Sequence, residues 1–272
     1  MPKSNIWKIS VVLAIGLSSF IPKAEAGGSH KVILYKGPET THLVRLKGST
    51  RCSGALIAKN RVLTAAHCVL SETTGEPLEG IEVEIKGETF YPKFVIFNNK
   101  IVESLTDDQQ GFEVMYDAAV LTFDKNLPGV VVETSNTISK TGSLLALGYQ
   151  PTWPDGSLER PKSYGDKSHL KPGVNVFVMK TAACILVYKN LTIGKTSTRG
   201  NCGMIPGGSG GPLLQKIGGI TKVVGVLSTV NQDLTVNNWV RPVDYNKVLK
   251  GGEGVVIHSF SGPILGGPPY KS

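Results

Sequence analysis

The chain predicts an all-β fold, arranged as a sandwich or as barrels, and three observations carry that prediction. Apolar and β-branched runs of strand length recur between clusters of Gly, Pro, Asn and Asp, while helical patterning is confined to a few residues near the end. The length of 272 residues, at 40% hydrophobic content, suffices for one domain or for two small barrels sharing a core.

In chain order, the first series of strand-length runs covers residues 31–35 around Val32-Ile33-Leu34, 42–46 around Leu43-Val44, 55–57, and 61–64 around Val62-Leu63. It continues with 81–85 around Val83, 93–97 around Phe94-Val95-Ile96, and 118–123 around Ala119-Val120-Leu121. Asn126-Leu127-Pro128-Gly129 then opens a stretch, 126–141, that reads as the connection between two halves. The second series covers 144–147, 174–180, 213–216, 222–228 and 238–240. Between them, residues 150–171 hold Pro151, Pro154, Gly156, Pro161 and Gly165 and are expected to form a surface loop. Residues 244–249 are expected to make one or two helical turns, with Asp244 as N-cap, and 250–272, rich in Gly and Pro, to form a loosely ordered tail.

Residues 1–26 read as an export signal. Lys3 and Lys8 flank its start, residues 9–21 are mostly apolar, and Ala24-Glu25-Ala26 places small residues at both recognition positions, so cleavage is expected after Ala26. The apolar run is too short to span hydrocarbon comfortably, which predicts a secreted or periplasmic protein with no membrane anchor after cleavage. The formal charge of +8 falls to about +6 without these residues. No dense Lys/Arg cluster is interleaved with aromatics, so the basic bias reads as a solvated surface rather than a nucleic-acid groove.

Four cysteines in an exported chain predict two disulfides among three connectivities, with Cys52–Cys68 and Cys184–Cys202 the sequence-local pairing. Zinc is the competing use, but there is no C-x-x-C pair and His67 adjoins Cys68, a poor ligand spacing. No metal and no cofactor are expected.

The run Gly207-Gly208-Ser209-Gly210-Gly211-Pro212 frames a serine so that its hydroxyl and the neighbouring N–H groups can face one carbonyl. A serine hydroxyl needs an imidazole to take its proton and a carboxylate to orient that imidazole. Of five histidines, His67 alone stands in a tightly packed small-residue context, Leu63-Thr64-Ala65-Ala66-His67-Cys68; His30, His42, His169 and His258 do not. Asp117 precedes the apolar run Ala118-Ala119-Val120-Leu121, which can anchor its side chain at a strand entrance, whereas Asp107, Asp108 and Asp124 read as loop or turn residues.

These residues resemble the trypsin/chymotrypsin-like family of serine peptidases. Cys52-Ser53-Gly54-Ala55-Leu56-Ile57 with Thr64-Ala65-Ala66-His67-Cys68 is similar to the family's histidine motif, Asp117-Ala118-Ala119-Val120-Leu121 to its aspartate motif, and 207–212 to its serine motif. The order His, Asp, Ser agrees with this family and not with the subtilisin-like or α/β-hydrolase orders. The resemblance extends over residues 31–249 and implies two six-stranded antiparallel β-barrels, about 31–125 and 141–249, with a short C-terminal helix. It implies a peptide-bond hydrolase in which Ser209 attacks, His67 acts as base and then acid, Asp117 holds the imidazole, and the N–H groups of Gly207 and Ser209 form the oxyanion hole. The cysteine pair 52 and 68 has the spacing that the family bridges.

Two departures shape the expectations. Gly208 stands where family members activated by proteolysis carry an aspartate that receives a new N-terminal ammonium, and residues 27–33 lack the matching start, so no such ion pair is expected. Gly203, Ser228 and Val230 are the candidate substrate-binding residues; Gly203 offers no carboxylate for a Lys or Arg side chain, and Val230 stands where glycine keeps the pocket open, so a small or apolar residue before the scissile bond is expected. The sequence thus points to an exported serine endopeptidase acting as a monomer on polypeptide substrates. The alternatives are a protease-like binding protein without turnover and a polypeptide-binding adhesion factor.

Overall fold

Alternating and continuous apolar runs predicted strands, and the computed structural model builds sixteen of them within residues 33–47, 51–106, 114–139, 143–152, 178–192, 195–199, 207–230, 236–241 and 254–260, the residues the structure describes. In chain order the first half contains β1 (Ile33–Leu34), β2 (Leu43–Lys47), β3 (Cys52–Ala58), β4 (Arg61–Thr64), β5 (Glu82–Ile85), β6 (Glu88–Phe90), β7 (Phe94–Asn98) and β8 (Ala119–Thr122). The second half contains β9 (Glu133–Thr134), β10 (Leu144–Thr152), β11 (Val178–Thr192), β12 (Lys195–Arg199), β13 (Pro212–Ile217), β14 (Ile220–Val230) and β15 (Val236–Val240), and β16 (Val255–Ser259) follows.

The second sheet closes on itself. Its path β11-β10-β13-β14-β15-β12 returns through the β11–β12 pairing, making a six-stranded barrel to which the two-residue strands β1 and β9 add short flanks. The first sheet runs β16-β7-β8-β4-β3-β2-β5-β6. There β6 and β7 are one strand interrupted at Tyr91-Pro92-Lys93, because proline has no N–H to give the ladder, so chain continuity joins the two ends and leaves six barrel strands plus β16. Two antiparallel barrels of six principal strands are therefore present, as the resemblance implied.

Period-two alternation assigns the core. In the second barrel Leu144, Ala146, Leu213, Val224, Leu227 and Trp239 form one buried cluster, while their neighbours Leu147, Leu214, Val223, Val226 and Val240 join the large cluster built around the first barrel. Successive side chains on these strands thus face opposite ways, and both faces are covered. That is why β10, β13 and β14 read as continuous apolar runs rather than alternating ones.

Three local expectations need correction. Residues 255–259, placed in the loosely ordered tail, form β16, which pairs antiparallel with β7 from Val255 opposite Asn98 to Ser259 opposite Phe94. Flanking backbone bonds from Asn99 N–H to Gly254 O (2.7 Å) and from Phe260 N–H to Lys93 O (2.9 Å) extend the ladder. The β-branched run Val255-Val256-Ile257 supplies the propensity, and the free edge of β7 supplies the partner; a Gly/Pro-rich composition hid both. Residues 100–106, given no element, form helix α1 (Lys100–Thr106), whose first turn is capped by Asn98 Oδ1 accepting from Lys100 N–H at 3.0 Å. Gln150, Pro151 and Thr152 belong to β10 rather than to a loop. The export signal, most of the 150–171 stretch and the helical turns at 244–249 lie outside the described residues. Among the described residues no helix is long and apolar enough to cross a membrane.

Candidate active site

His67 follows directly from the end of β4. After Thr64 the chain enters a single helical turn, Ala66–Cys68, and Cys68 is bonded to Cys52 at the start of β3, so the histidine is tied at one residue's distance to a neighbouring strand. Ala65 and Ala66 are fully buried, which small side chains permit where backbone from the other barrel presses in. The imidazole keeps 18% of its side-chain surface. One ring edge is backed by the disulfide, with Nε2 3.7 Å from Cys68 Sγ.

Asp117 lies between the helical turn Val114–Tyr116 and β8, and its side chain is completely buried. A buried carboxylate must be paired and hydrogen-bonded, and this one is. Its Oδ1 accepts from the backbone N–H of His67 (2.9 Å), and its Oδ2 accepts from His67 Nδ1 (2.8 Å) and from Ser228 Oγ (2.6 Å). The bond from Nδ1 assigns the tautomer of the neutral ring: Nδ1 carries the proton and Nε2 is left as a base. Burial pushes the His67 pKa down, but the Asp117 charge, its hydrogen bond and the charge of Glu72 outweigh it, so the pKa is raised.

The serine turn is built by glycine. Gly207 has φ +102° and Gly210 φ +76°, both in the left-handed region that side chains disfavour. A Cβ on Gly210 would lie 2.2 Å from Thr64 Oγ1, 2.3 Å from Ser53 O and 2.9 Å from Ala65 N. The residue after Ser209 is therefore seated on the very segment that leads into His67, and glycine is what allows that approach. Gly211 N–H donates to Gly208 O (2.9 Å) and Gly210 N–H to Leu227 O (2.8 Å), closing the turn against β14. Ser209 itself is partly buried.

Of the predicted site residues, His67, Asp117 and Ser228 meet directly, and the turn carrying Gly207 and Ser209 packs against the same segment. Ser228 was expected as a substrate-binding residue; its hydroxyl donates to Asp117. Val230 ends β14, with its backbone opposite Asn237. Gly203, Cys202 and the side chains of Cys184 and Val230 lie outside what is described. Cys52, His67 and Cys68 offer ligand atoms within 4.8 Å of one another, but the two sulfurs are joined to each other. Two site residues escaped the sequence reading. Ser53 and Thr64 are polar yet fully buried, and a hydroxyl inside an apolar strand run was the available signal.

Comparison with known proteins agrees with the fold. A solved Glu endopeptidase is similar in fold, with a TM-score of 0.58 at 16% identity, over 82% of this chain and 97% of that one. Human heparin binding protein is similar at TM-score 0.56 and 17% identity, over 82% of this chain and 95% of that one. No curated protein sequence matches the chain. The family model for trypsin matches residues 35–249, a span that takes in both barrels and the His67, Asp117 and Ser209 motifs, and the chain belongs to the trypsin family.

Proposed function

We propose that the protein is an exported serine endopeptidase. The observation that carries this reading is the buried Asp117 holding His67 through both Nδ1 and the backbone N–H, which gives Nε2 the unprotonated tautomer of a general base. Ser209 Oγ attacks the scissile carbonyl and passes its proton to Nε2; the N–H groups of Gly207 and Ser209 receive the developing oxyanion, each such donor being worth about 3 to 4 kcal/mol. The imidazolium then protonates the leaving amine, and water activated by the same nitrogen releases the acyl group. Gly203 and Val230 favour a small or apolar residue before the scissile bond. Four cysteines, of which Cys52 and Cys68 are joined, suit an oxidising compartment outside the cytoplasm.

A protease-like binding protein is the second reading, favoured by the name of the heparin-binding neighbour and by Gly208 in place of the expected aspartate. Labelling with a fluorophosphonate separates the two. Wild-type protein is expected to label and Ser209→Ala not to; an unlabelled wild type would overturn the peptidase reading.

A further inference from the structure

We propose that Ser53 is a positioning residue that holds the serine turn in its working shape; this rests on the peptidase reading above. Gly207 and Gly208 carry no side chains, so the peptide groups around them rotate at little steric cost, and the aim of the Gly207 and Ser209 N–H groups must be fixed by hydrogen bonds. Ser53, on β3 of the first barrel and fully buried, supplies them. Its Oγ accepts from Tyr149 N–H at 2.7 Å and donates to Gly207 O at 2.7 Å. A hydroxyl has one proton, so acceptance from Tyr149 leaves that proton for Gly207 O. The Ser53 N–H donates to Ser209 O, also at 2.7 Å. One residue thus grips the carbonyls on both sides of Gly208, and Gly208 O is taken by Gly211 N–H at 2.9 Å. Rotation of the Gly207-Gly208 peptide would strand a buried hydroxyl proton and a buried carbonyl. On its other side Ser53 O accepts from Thr64 Oγ1 at 2.8 Å, and Cys52 is bonded to Cys68, so the grip on the serine turn is anchored in the segment that carries His67.

The test compares wild type with Ser53→Ala and Ser53→Gly, neither of which adds an atom to a buried site, so the answer does not depend on one variant folding. With a chromogenic peptide ester, kcat is expected to fall about 10- to 100-fold while KM stays within about three-fold, because a misaimed donor weakens transition-state and not ground-state binding. The inhibition constant of a peptide boronate should rise by the same factor as kcat falls. Independently of turnover, amide hydrogen exchange at residues 207–210 should accelerate about ten-fold or more, with Leu214 and Val224 in the adjoining strands unchanged. Exchange at 207–210 equal to wild type, or a kcat within about three-fold of it, overturns the proposal. A wild type that does not react with the ester defeats the peptidase reading alone, and the exchange comparison still decides whether Ser53 holds the turn.

Discussion

At the scale of single residues, the protonation of His67 decides how the site responds to pH. A carboxylate with no solvent contact accepts three donors, two of them from His67 itself, and the charge of the exposed Glu72 adds to the same effect. The sign follows from chemistry. In the proposed mechanism neutral His67 is the base, so kcat/KM is expected to fall as pH drops through the raised pKa, placing the acid limb above the ordinary histidine value of about 6.5. Glu72→Gln removes one of the raising charges and should move that limb to lower pH, less so at high salt because Glu72 is exposed. A pH–rate profile of the two proteins checks it; a limb that stays in place under Glu72→Gln would exclude the coupling. The same raised pKa contributes to fold stability at pH below about 6.5, and that contribution disappears as pH rises through the folded value.

At the scale of elements, β16 changes how the first barrel ends. Without it, β7 would present an unpaired edge beside β8, and five register pairs from Val255 opposite Asn98 to Ser259 opposite Phe94 would be lost. Protein lacking residues 254–272 is expected to lose about 1 to 2 kcal/mol, roughly 2 to 8 °C in Tm for a chain of this size, while still labelling with a fluorophosphonate. Scanning calorimetry reads the difference, and an unchanged Tm would mean that the strand adds nothing to the barrel. Strands with strong β-branched or aromatic runs, such as β4, β8 and β14, were legible in the sequence to within two residues. Those that were missed, β6, β9, β12 and β16, are short or polar and exist because a neighbour offers a ladder to join, while β11 runs on to Thr192, well past the expected end at 180, because β10 and β12 pair along its length. Helix α1 went unseen for the related reason that seven residues are too few to display helical periodicity, with a cap and the buried Ile101 holding it in place.

For the whole molecule, the two barrels are not independent. The outward-facing Leu147, Leu214, Val223, Val226 and Val240 of the second barrel belong to the core cluster of the first, and Ser53 and Asp117 receive or make bonds across the same boundary. One cooperative thermal transition is therefore expected, with matching calorimetric and van't Hoff enthalpies. Replacing Cys52 and Cys68 together by alanine opens a loop of sequence separation 16 and should cost about 3 kcal/mol, roughly 6 to 12 °C, within that single transition. Two resolved transitions, with only the lower one moved, would show that the barrels melt separately.

The sequence by itself determined the all-β class and singled out a division into two halves and His67, Asp117 and Ser209 as candidates, because each of these leaves a local mark: strand-length apolar runs, a turn-rich connection, and small residues around a polar one. Only the tertiary structure decided what surrounds them. The three donors on Asp117, the hydroxyl of Ser228 turned toward it, the grip of Ser53 on both carbonyls beside Gly208, and the pairing of β16 with β7 all join residues far apart in the chain. The glycine-framed serine shows both sides of this division. Its glycines announced a turn that side chains would obstruct, yet what holds that turn is a buried serine on a strand of the other barrel, and no local pattern encodes which distant hydroxyl will close a hydrogen bond.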